Sequence, residues 1–382
     1  MKKNKKKIIL GAIALVVATV MITSFVLTTF GFVGFLPKDE YQKYMKVVAL
    51  GEEVEDSFYK KPDDKKLEEG MCKGLFYGLD DEYSSYYNKE EMKQIMEVSS
   101  GKYVGIGLIV SADKETGAIK VERTVPGGPA EAAGVKKGDL IIKVEDKSYT
   151  YQEMDIAVKN MRGEAGTYTN VTFLREGKTL EKKIQRKEIK LDSVSSKVID
   201  DNIGYIQITS FDEDTDKDFE KALDSLEKKN VKGLILDVRN NGGGYLDVVK
   251  NISDRLLGEG VIVYTKDNKG KKDYLRSDNK EKVDIPIAIL TNEYSASASE
   301  ILTGAIVDNK AGISIGKTTY GKGLVQSVVQ LKDGSGYKLT TAQYFTPNGD
   351  YINKKGIKPN IEVKDTDKQL PKAVEYMKEK IK

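Results

Sequence analysis

The chain has no histidine and a single cysteine, Cys72, among 382 residues. Without an imidazole there is no Ser-His-Asp triad and no Cys-His pair, and without imidazoles or several thiolates there is no usual zinc site. A general base must therefore be Lys, Asp, Glu or Tyr. One cysteine excludes a disulfide framework, and its setting in MCKGLFYGL points to a buried structural thiol with no chemical role. An excess of one charge is missing too: 62 basic residues face 59 acidic ones, interspersed, for a net charge of +3. No broad cationic field exists to hold a phosphate backbone, so nucleic acid is not expected as a partner.

Charge is also absent from Ile8 to Phe35, directly after the opening MKKNKKK. The part from Ile8 to Phe30 alone exceeds the ~20 residues that span a bilayer. The lysines ahead of it favour the cytoplasmic side, which puts everything after about residue 38 outside. A cleavable signal peptide would have a shorter apolar run and a small-x-small site, and TTFGFVGFLPKDE offers none. An uncleaved anchor is expected.

Length allows two or three domains on a prior of ~100 to 200 residues each. From Pro37 to about Glu97 the pattern is charged and helical, with Tyr41, Met45, Val48 and Leu50 on one side and a second run from Leu67 to Leu79. In DDEYSSYYNKEEM the polar cluster predicts a turn capping a helix that begins near Asn88, with Tyr83, Tyr86 and Tyr87 packing on a neighbour. Between Ser100 and about Lys187 the character turns to short β-branched strands: YVGIGLIV, AIKVERTV, DLIIKVED and NVTFLREG. One helix interrupts them at about Gln152 to Met161, with an apolar stripe of Met154, Ile156, Ala157, Val158 and Met161.

The block VPGGPAEAAGVKKGDLIIKVED, Val125 to Asp146, reads as turn, short helix, glycine stop and strand, and it resembles PDZ domains. In that family a strand edge accepts a peptide as an added strand, and a glycine-containing loop offers amides to its terminal carboxylate. The matching loop is Gly105, Ile106, Gly107 and Leu108. Glycines suit it because a backbone without Cβ bulk can turn its N–H groups toward one anion.

From Ile203 strands and helices alternate, and continuous apolar strands such as Leu234 to Val238 and Ile285 to Leu290 predict a sheet covered by helices on both faces. Within IAILTNEYSASASEILTGAIV a buried strand, a small-residue turn and a serine-opened helix follow one another. The amides and the positive end of that helix dipole would stabilise a tetrahedral oxyanion. Plain helix capping explains serines there equally, and Ser295, Ser297 and Ser299 compete for a nucleophile's role. Downstream, Lys322 stands between Gly321 and Gly323 in TTYGKGLVQ; burial there would lower its pKa from ~10.4 and let it act as a base, while on its own the segment reads equally as a solvated lysine, so it is read together with the serine segment. A third piece, DVRNNGGGYLDVV, puts Gly242, Gly243 and Gly244 between a strand and a helix, a turn that can present an amide to an oxyanion, bind a phosphate or simply turn the chain.

Taken in order, the PDZ block, DVRNNGGG, SASASEI, YGKGLVQ and FTPNGDYINKKGIKPNI resemble the carboxyl-terminal processing peptidases, or tail-specific proteases, over roughly residues 40 to 380. With the cytoplasmic tail (1–7), transmembrane anchor (8–30) and helical region (38–98) read from the residues, the resemblance implies an α/β multidomain protein with a PDZ-like domain (99–187), a peptidase core of ClpP/crotonase-like type (188–365) and a C-terminal helix (366–382). It assigns Ser297 as nucleophile, Lys322 as base and Gln326 as the residue orienting the lysine amine. Gly243, with Gly242 as a near alternative, and Ala298 would supply oxyanion amides, and Arg162 or Arg175 would be a PDZ arginine coupling peptide binding to activity.

The implied protein is a single-pass cell-membrane endopeptidase whose catalytic domain lies outside the cytoplasm. It needs no cofactor or metal and acts on polypeptides with apolar C-terminal tails. Pairing of two subunits through the helical segments 41–97 and 368–382 stands beside simple packing on their own domain. A rival from another class is a latent or inactive membrane-tethered PDZ scaffold. Two chance motifs are set aside: SDNK (Ser277 to Lys280) lies in a polar run rather than opening an apolar helix, and GISIGKTT has one residue too few between its glycines for a phosphate loop.

Overall fold

The computed structural model describes residues 2–29, 38–200, 202–278, 280 and 282–381, with side chains described for 11–25 and from 44 onward within those ranges. The chain divides into two compact units, Met1–Met71 and Cys72–Lys382. The first holds helix α1 (Lys2–Thr29) and helix α2 (Lys38–Ser57), and helix α3 (Asp64–Tyr77) begins in it. Among the described residues no helix is long and apolar enough to cross a membrane. The expected span of residues 8–30 reaches beyond the described side chains at both ends, and TTFGFVGF together with the Tyr41 side chain also falls outside the described residues. On α2, Met45, Val48 and Leu50 are exposed.

In the second unit the polar turn after α3 leads to strand β1 (Ser85–Tyr87) and helix α4 (Lys89–Ser100). The cap falls where the sequence puts it: the Glu91 N–H donates to Asn88 Oδ1 at 3.0 Å, and Asn88 N–H donates to Glu91 Oε2 at 2.9 Å. Cys72 is half-buried rather than fully buried.

The run YVGIGLIV, expected as one strand, is two: β2 (Lys102–Gly105) and β3 (Leu108–Ala112). Gly107 breaks it with φ of +76°, a left-handed conformation. Then follow β4 (Ile119–Thr124), the single-turn helix α5 (Pro129–Ala132), β5 (Leu140–Val144), β6 (Lys147–Ser148), helix α6 (Met154–Met161), β7 (Tyr168–Arg175), β8 (Lys178–Gln185) and β9 (Lys187–Lys190). β3-β4-β5-β7-β8 form an antiparallel sheet with β6 beside β5, and β2 pairs with β9 as a separate two-stranded stem. The core holds Ile119, Val121, Ile141, Val171, Phe173 and Met161, whereas Ile156 of the expected stripe is exposed.

The remainder comprises β10 (Val194–Ile199), β11 (Ile203–Ile208), α7 (Thr215–Glu227), β12 (Gly233–Asp237), α8 (Leu246–Leu256), β13 (Gly260–Asp267), β14 (Lys272–Ser277), β15 (Ile287–Thr291), α9 (Ala298–Asp308), β16 (Gly312–Gly316), β17 (Leu324–Gln330), β18 (Gly336–Phe345), β19 (Ile361–Glu362) and α10 (Thr366–Lys380). One sheet runs β10-β11-β12-β15-β16-β19, parallel except for β10. Alternate residues of its strands point to opposite faces. Ile206, Leu234, Leu236, Ile287 and Ile289 meet α7, α8 and α9, while Tyr205, Ile235, Ala288 and Leu290 meet Ala373 and Met377 of α10. Where one sheet was expected there are two: β17 and β18 leave the parallel sheet and form an antiparallel one with β13, β14 and, from before the PDZ block, β1. The chance motifs dissolve in this fold. Ser277 ends β14 with its hydroxyl donating to Leu257 O at 3.3 Å, Asn279 lies outside the described residues, and Gly312–Gly316 is a sheet strand.

Candidate active site

Three segments converge at the C-terminal edge of the parallel sheet, where ligands of open α/β sheets bind. The turn after β12, the turn after β15 and the loop before β17 are tied together by backbone and amide bonds. Ala296 N–H donates to Asn241 O at 3.0 Å, Asn292 Nδ2 donates to Asn240 Oδ1 at 2.8 Å, and Tyr320 N–H donates to Ser295 O at 3.0 Å.

The three competing serines are not equivalent. Ser295 is fully buried and donates its hydroxyl to Val238 O at 2.8 Å, and Ser299 is fully buried and donates to Asn241 O at 2.9 Å. Both are fasteners of the turn. Ser297 alone is half-exposed, at the N-cap of α9 with φ of +55° and ψ of −113°. A positive φ at a non-glycine residue is strained, and such strain gathers at sites of function.

The Lys322 loop shows why glycines flank it. A Cβ on Gly321 would meet Gly356 N at 2.8 Å, and one on Gly323 would meet Asn353 N at 2.7 Å, so only glycine lets the loop press against residues 352–356. Lys322 is half-buried and its Nζ lies 4.7 Å from the centre of the Tyr83 ring. Burial, helped by the nearby Lys338 charge, pushes the amine below the ordinary lysine value, against the opposing pull of Glu300, Glu82 and Asp81.

A buried carboxylate unites the two segments. Glu300 Oε2 accepts from Ser297 N–H at 2.9 Å and from Lys322 N–H at 2.8 Å, while Oε1 accepts from Gly321 N–H at 2.7 Å and from the Thr319 hydroxyl at 2.6 Å. Buried Tyr344 adds a hydroxyl that donates to Ser297 O at 3.2 Å and also reaches Lys322 O. Sequence reasoning missed both residues. The one available signal was Ser-x-x-Glu in SASE, which reads as a capping box and nothing more.

The other expected members sit differently. Gly243 packs against the serine turn: φ is +105°, and a Cβ there would meet Ser297 Cβ at 2.8 Å and Ala298 N at 3.0 Å. Its N–H, however, donates to Asn241 Oδ1 at 2.8 Å, the short side chain folding back on its own turn. The N–H groups of Gly242 and Ala298 have no partner among the described residues. Gln326 lies on β17 and its amide donates to Thr340 Oγ1 at 3.3 Å across to β18. A cleft of about 980 Å³ opens beside the lysine loop, with Tyr83, Tyr86, Asp81, Leu324 and Lys354 in its walls.

In the PDZ-like domain β3 ends its sheet, leaving an edge unpaired within it. A groove of about 160 Å³ runs between it and α6, walled by Gly105, Ile106, Gly107 and Leu108 at one end and by Val158, Met161 and Arg162 opposite. The two arginines separate cleanly. Arg175 is bound to Asp139 at 2.6 and 2.7 Å within its own domain. Arg162 borders the groove, lies over the Tyr103 ring at 4.8 Å and reaches Glu97 of α4 at 3.2 Å.

Comparison with known proteins agrees with this arrangement. The model of Peptidase family S41 matches residues 202–363, and that of the PDZ domain matches residues 93–174. The carboxy-terminal processing protease CtpA of Bacillus subtilis (strain 168) is 39% identical over 321 residues, 84% of this chain and 68% of that one. A probable CtpA-like serine protease of Staphylococcus aureus (strain COL) is 36% identical over 367 residues, 93% of this chain and 73% of that one. Among solved structures, the photosystem II D1 C-terminal processing protease superposes with a TM-score of 0.52 at 30% identity, covering 81% of this chain and 85% of that one. The chain belongs to peptidase family S41, as a carboxy-terminal processing serine protease with a PDZ domain.

Proposed function

We propose that the chain is a membrane-anchored endopeptidase in which Ser297 attacks and Lys322 is the base. The observation that carries this reading is the single carboxylate of Glu300, which accepts from the backbone N–H of both residues. Neutral Lys322 takes the Ser297 proton as the oxygen attacks a peptide carbonyl. The resulting lysine ammonium protonates the departing amine, leaving an acyl-enzyme, and water attacks that ester with the same amine as base. Ala298 N–H and an amide of the Gly242–Gly243 turn receive the oxyanion. Gly243 can serve once Asn241 Oδ1 releases its N–H; Gly242 needs no such release. The PDZ groove accepts an apolar C-terminal tail as a strand on β3, with the Gly105–Leu108 loop facing its carboxylate.

Membrane anchoring rests on the uncharged run Ile8 to Phe35 behind its lysines, most of it carried by α1. The lysines ahead of the run support a peptidase outside the cytoplasm. A latent binding protein is the second reading, favoured by three engaged groups: Gly243 N–H on Asn241, Gln326 on Thr340 and Lys322 over Tyr83. The deciding experiment incubates the full chain in detergent with an unfolded protein that ends in an apolar tail. Cleavage by wild type and none by Ser297→Ala is expected. Equal absence of cleavage in both, with or without added tail peptide, supports the latent reading.

A further inference from the structure

The turn before β1 enters the active site although it precedes the PDZ-like domain in the chain. Tyr83 N–H donates to Asp81 Oδ1 at 3.3 Å, and the neighbouring Ser84 hydroxyl donates to the same carboxylate. Ser84 Oγ in turn accepts Thr340 N–H of β18 at 2.9 Å, and β1 pairs with β18 from Ser85 to Tyr87. β18 also pairs with β17, which the Lys322 loop enters. The Tyr83 ring and Lys322 are thus mounted on one antiparallel sheet, and the ring face meets the amine at 4.7 Å.

An aromatic face attracts an ammonium ion and has no comparable pull on a neutral amine. Burial, then Glu82 and Tyr320, push the Tyr83 hydroxyl above the ordinary tyrosine value, which favours a neutral ring facing Lys322. The other charges on the amine come from Lys338, which disfavours its proton, and from Glu300, Glu82 and Asp81, which favour it. None of these carboxylates forms an ion pair with Nζ among the described residues, whereas the Tyr83 ring face lies against the amine.

We propose that Tyr83 is a positioning residue of the peptidase: its ring holds the Lys322 amine in a charged resting position, from which the amine is released toward Ser297 as a neutral base. This rests on the reading of Lys322 as base. The proposal places a specific duty on a segment outside the peptidase core, in a cluster of tyrosines otherwise explained by packing.

The test measures initial rates of the full chain in detergent on a fluorogenic peptide with an apolar tail, from about pH 6 to about pH 10, around the range a buried lysine titrates. Tyr83→Leu removes the ring, Tyr83→Phe keeps it without the hydroxyl, and Tyr83→Trp supplies a stronger cation-binding face. Circular dichroism and thermal unfolding check that each is folded. Loss of the ring should move the midpoint of the alkaline rise to lower pH by roughly half a unit to one and a half units, Phe should keep the wild-type midpoint, and Trp should move it upward. A Leu midpoint equal to wild type overturns the proposal, as does a Phe shift as large as that of Leu. Should Leu not fold, Trp decides, and a Trp midpoint that stays or falls overturns it. A wild-type rate with no alkaline rise removes the lysine base itself, which is a separable failure.

Discussion

At the scale of single residues, Glu300 ranks beside the serine and the lysine. Four donors converge on its two oxygens within 2.9 Å, three of them backbone N–H groups. Gln in its place keeps the shape but turns an NH2 toward backbone donors, leaving buried groups unpaired at ~1–3 kcal/mol each. Glu300→Gln should lower kcat by about a hundredfold, since a misplacement near 1 Å costs about that much, and should lower the urea midpoint as well. Wild-type kcat in this variant would show that the serine and lysine are held by something else. The proposal of a lysine base drew on chemistry, because a chain without histidine has few other bases once a serine nucleophile is granted. The choice among Ser295, Ser297 and Ser299 was not legible in local sequence, because it depends on Val238 and Asn241, distant acceptors that occupy the outer two. The partner that Gln326 takes, Thr340, was not legible for a similar reason: it is set by strand register.

At the scale of elements, the stem of β2 and β9 is fastened to the start of α7 by charge. Asp214 meets Lys102 at 3.0 Å, Lys190 at 3.8 Å and Lys217 at 3.0 Å, and Lys190 also meets Asp218 at 2.6 Å. The bond with Lys217, then Lys102, holds the Asp214 carboxyl down to about 2. A depressed carboxylate contributes stability above its unfolded value of ~3.9, and the contribution is lost as pH falls through the folded value. Thermal unfolding between about pH 4 and about pH 2 should therefore fall more steeply for wild type than for Asp214→Asn, and the variant should melt lower at neutral pH. Parallel curves would place the fastening elsewhere. The same loop continues to Phe211, whose N–H donates to Gly243 O at 3.0 Å and whose carbonyl accepts Tyr245 N–H at 2.8 Å. The elements themselves were mostly legible, since period and apolar runs marked β12, β15, α7 and α9. What the sequence could not reveal was long-range pairing: three residues of β1 look like part of a helical region until β18 supplies their partner. Charge-rich β8, KTLEKKIQ, has the same character, with seven of its eight residues at least partly exposed and only Ile184 buried beside β7.

At the scale of the molecule, a PDZ domain and a peptidase core share one compact unit, and a stem of two short strands joins them. On the proposed role of the groove, the free carboxylate of a tail carries much of the recognition. A fluorescent peptide ending in an apolar residue should bind the full chain, and its C-terminal amide should bind about tenfold or more weakly, the loss of a charge-assisted hydrogen bond. Equal binding of acid and amide would remove the Gly105–Leu108 loop from carboxylate recognition. The presence of a PDZ domain ahead of an α/β peptidase core was legible because the motifs are ordered along the chain and each has its own composition. The split of the core strands into two sheets was not, since nothing in LVQSVVQ or YKLTTAQYF says which neighbours they choose.

The open edge of β3 bears on the range of clients. A strand added to a sheet edge is held mainly by main-chain bonds, which every extended polypeptide can form, and the groove behind it leaves only about 160 Å³ for side chains. Selectivity then falls on few terminal positions and on whether a tail is unfolded and within reach. Such a receptor suits an enzyme that surveys many different proteins for exposed ends, with its repertoire bounded by accessibility rather than by a long consensus.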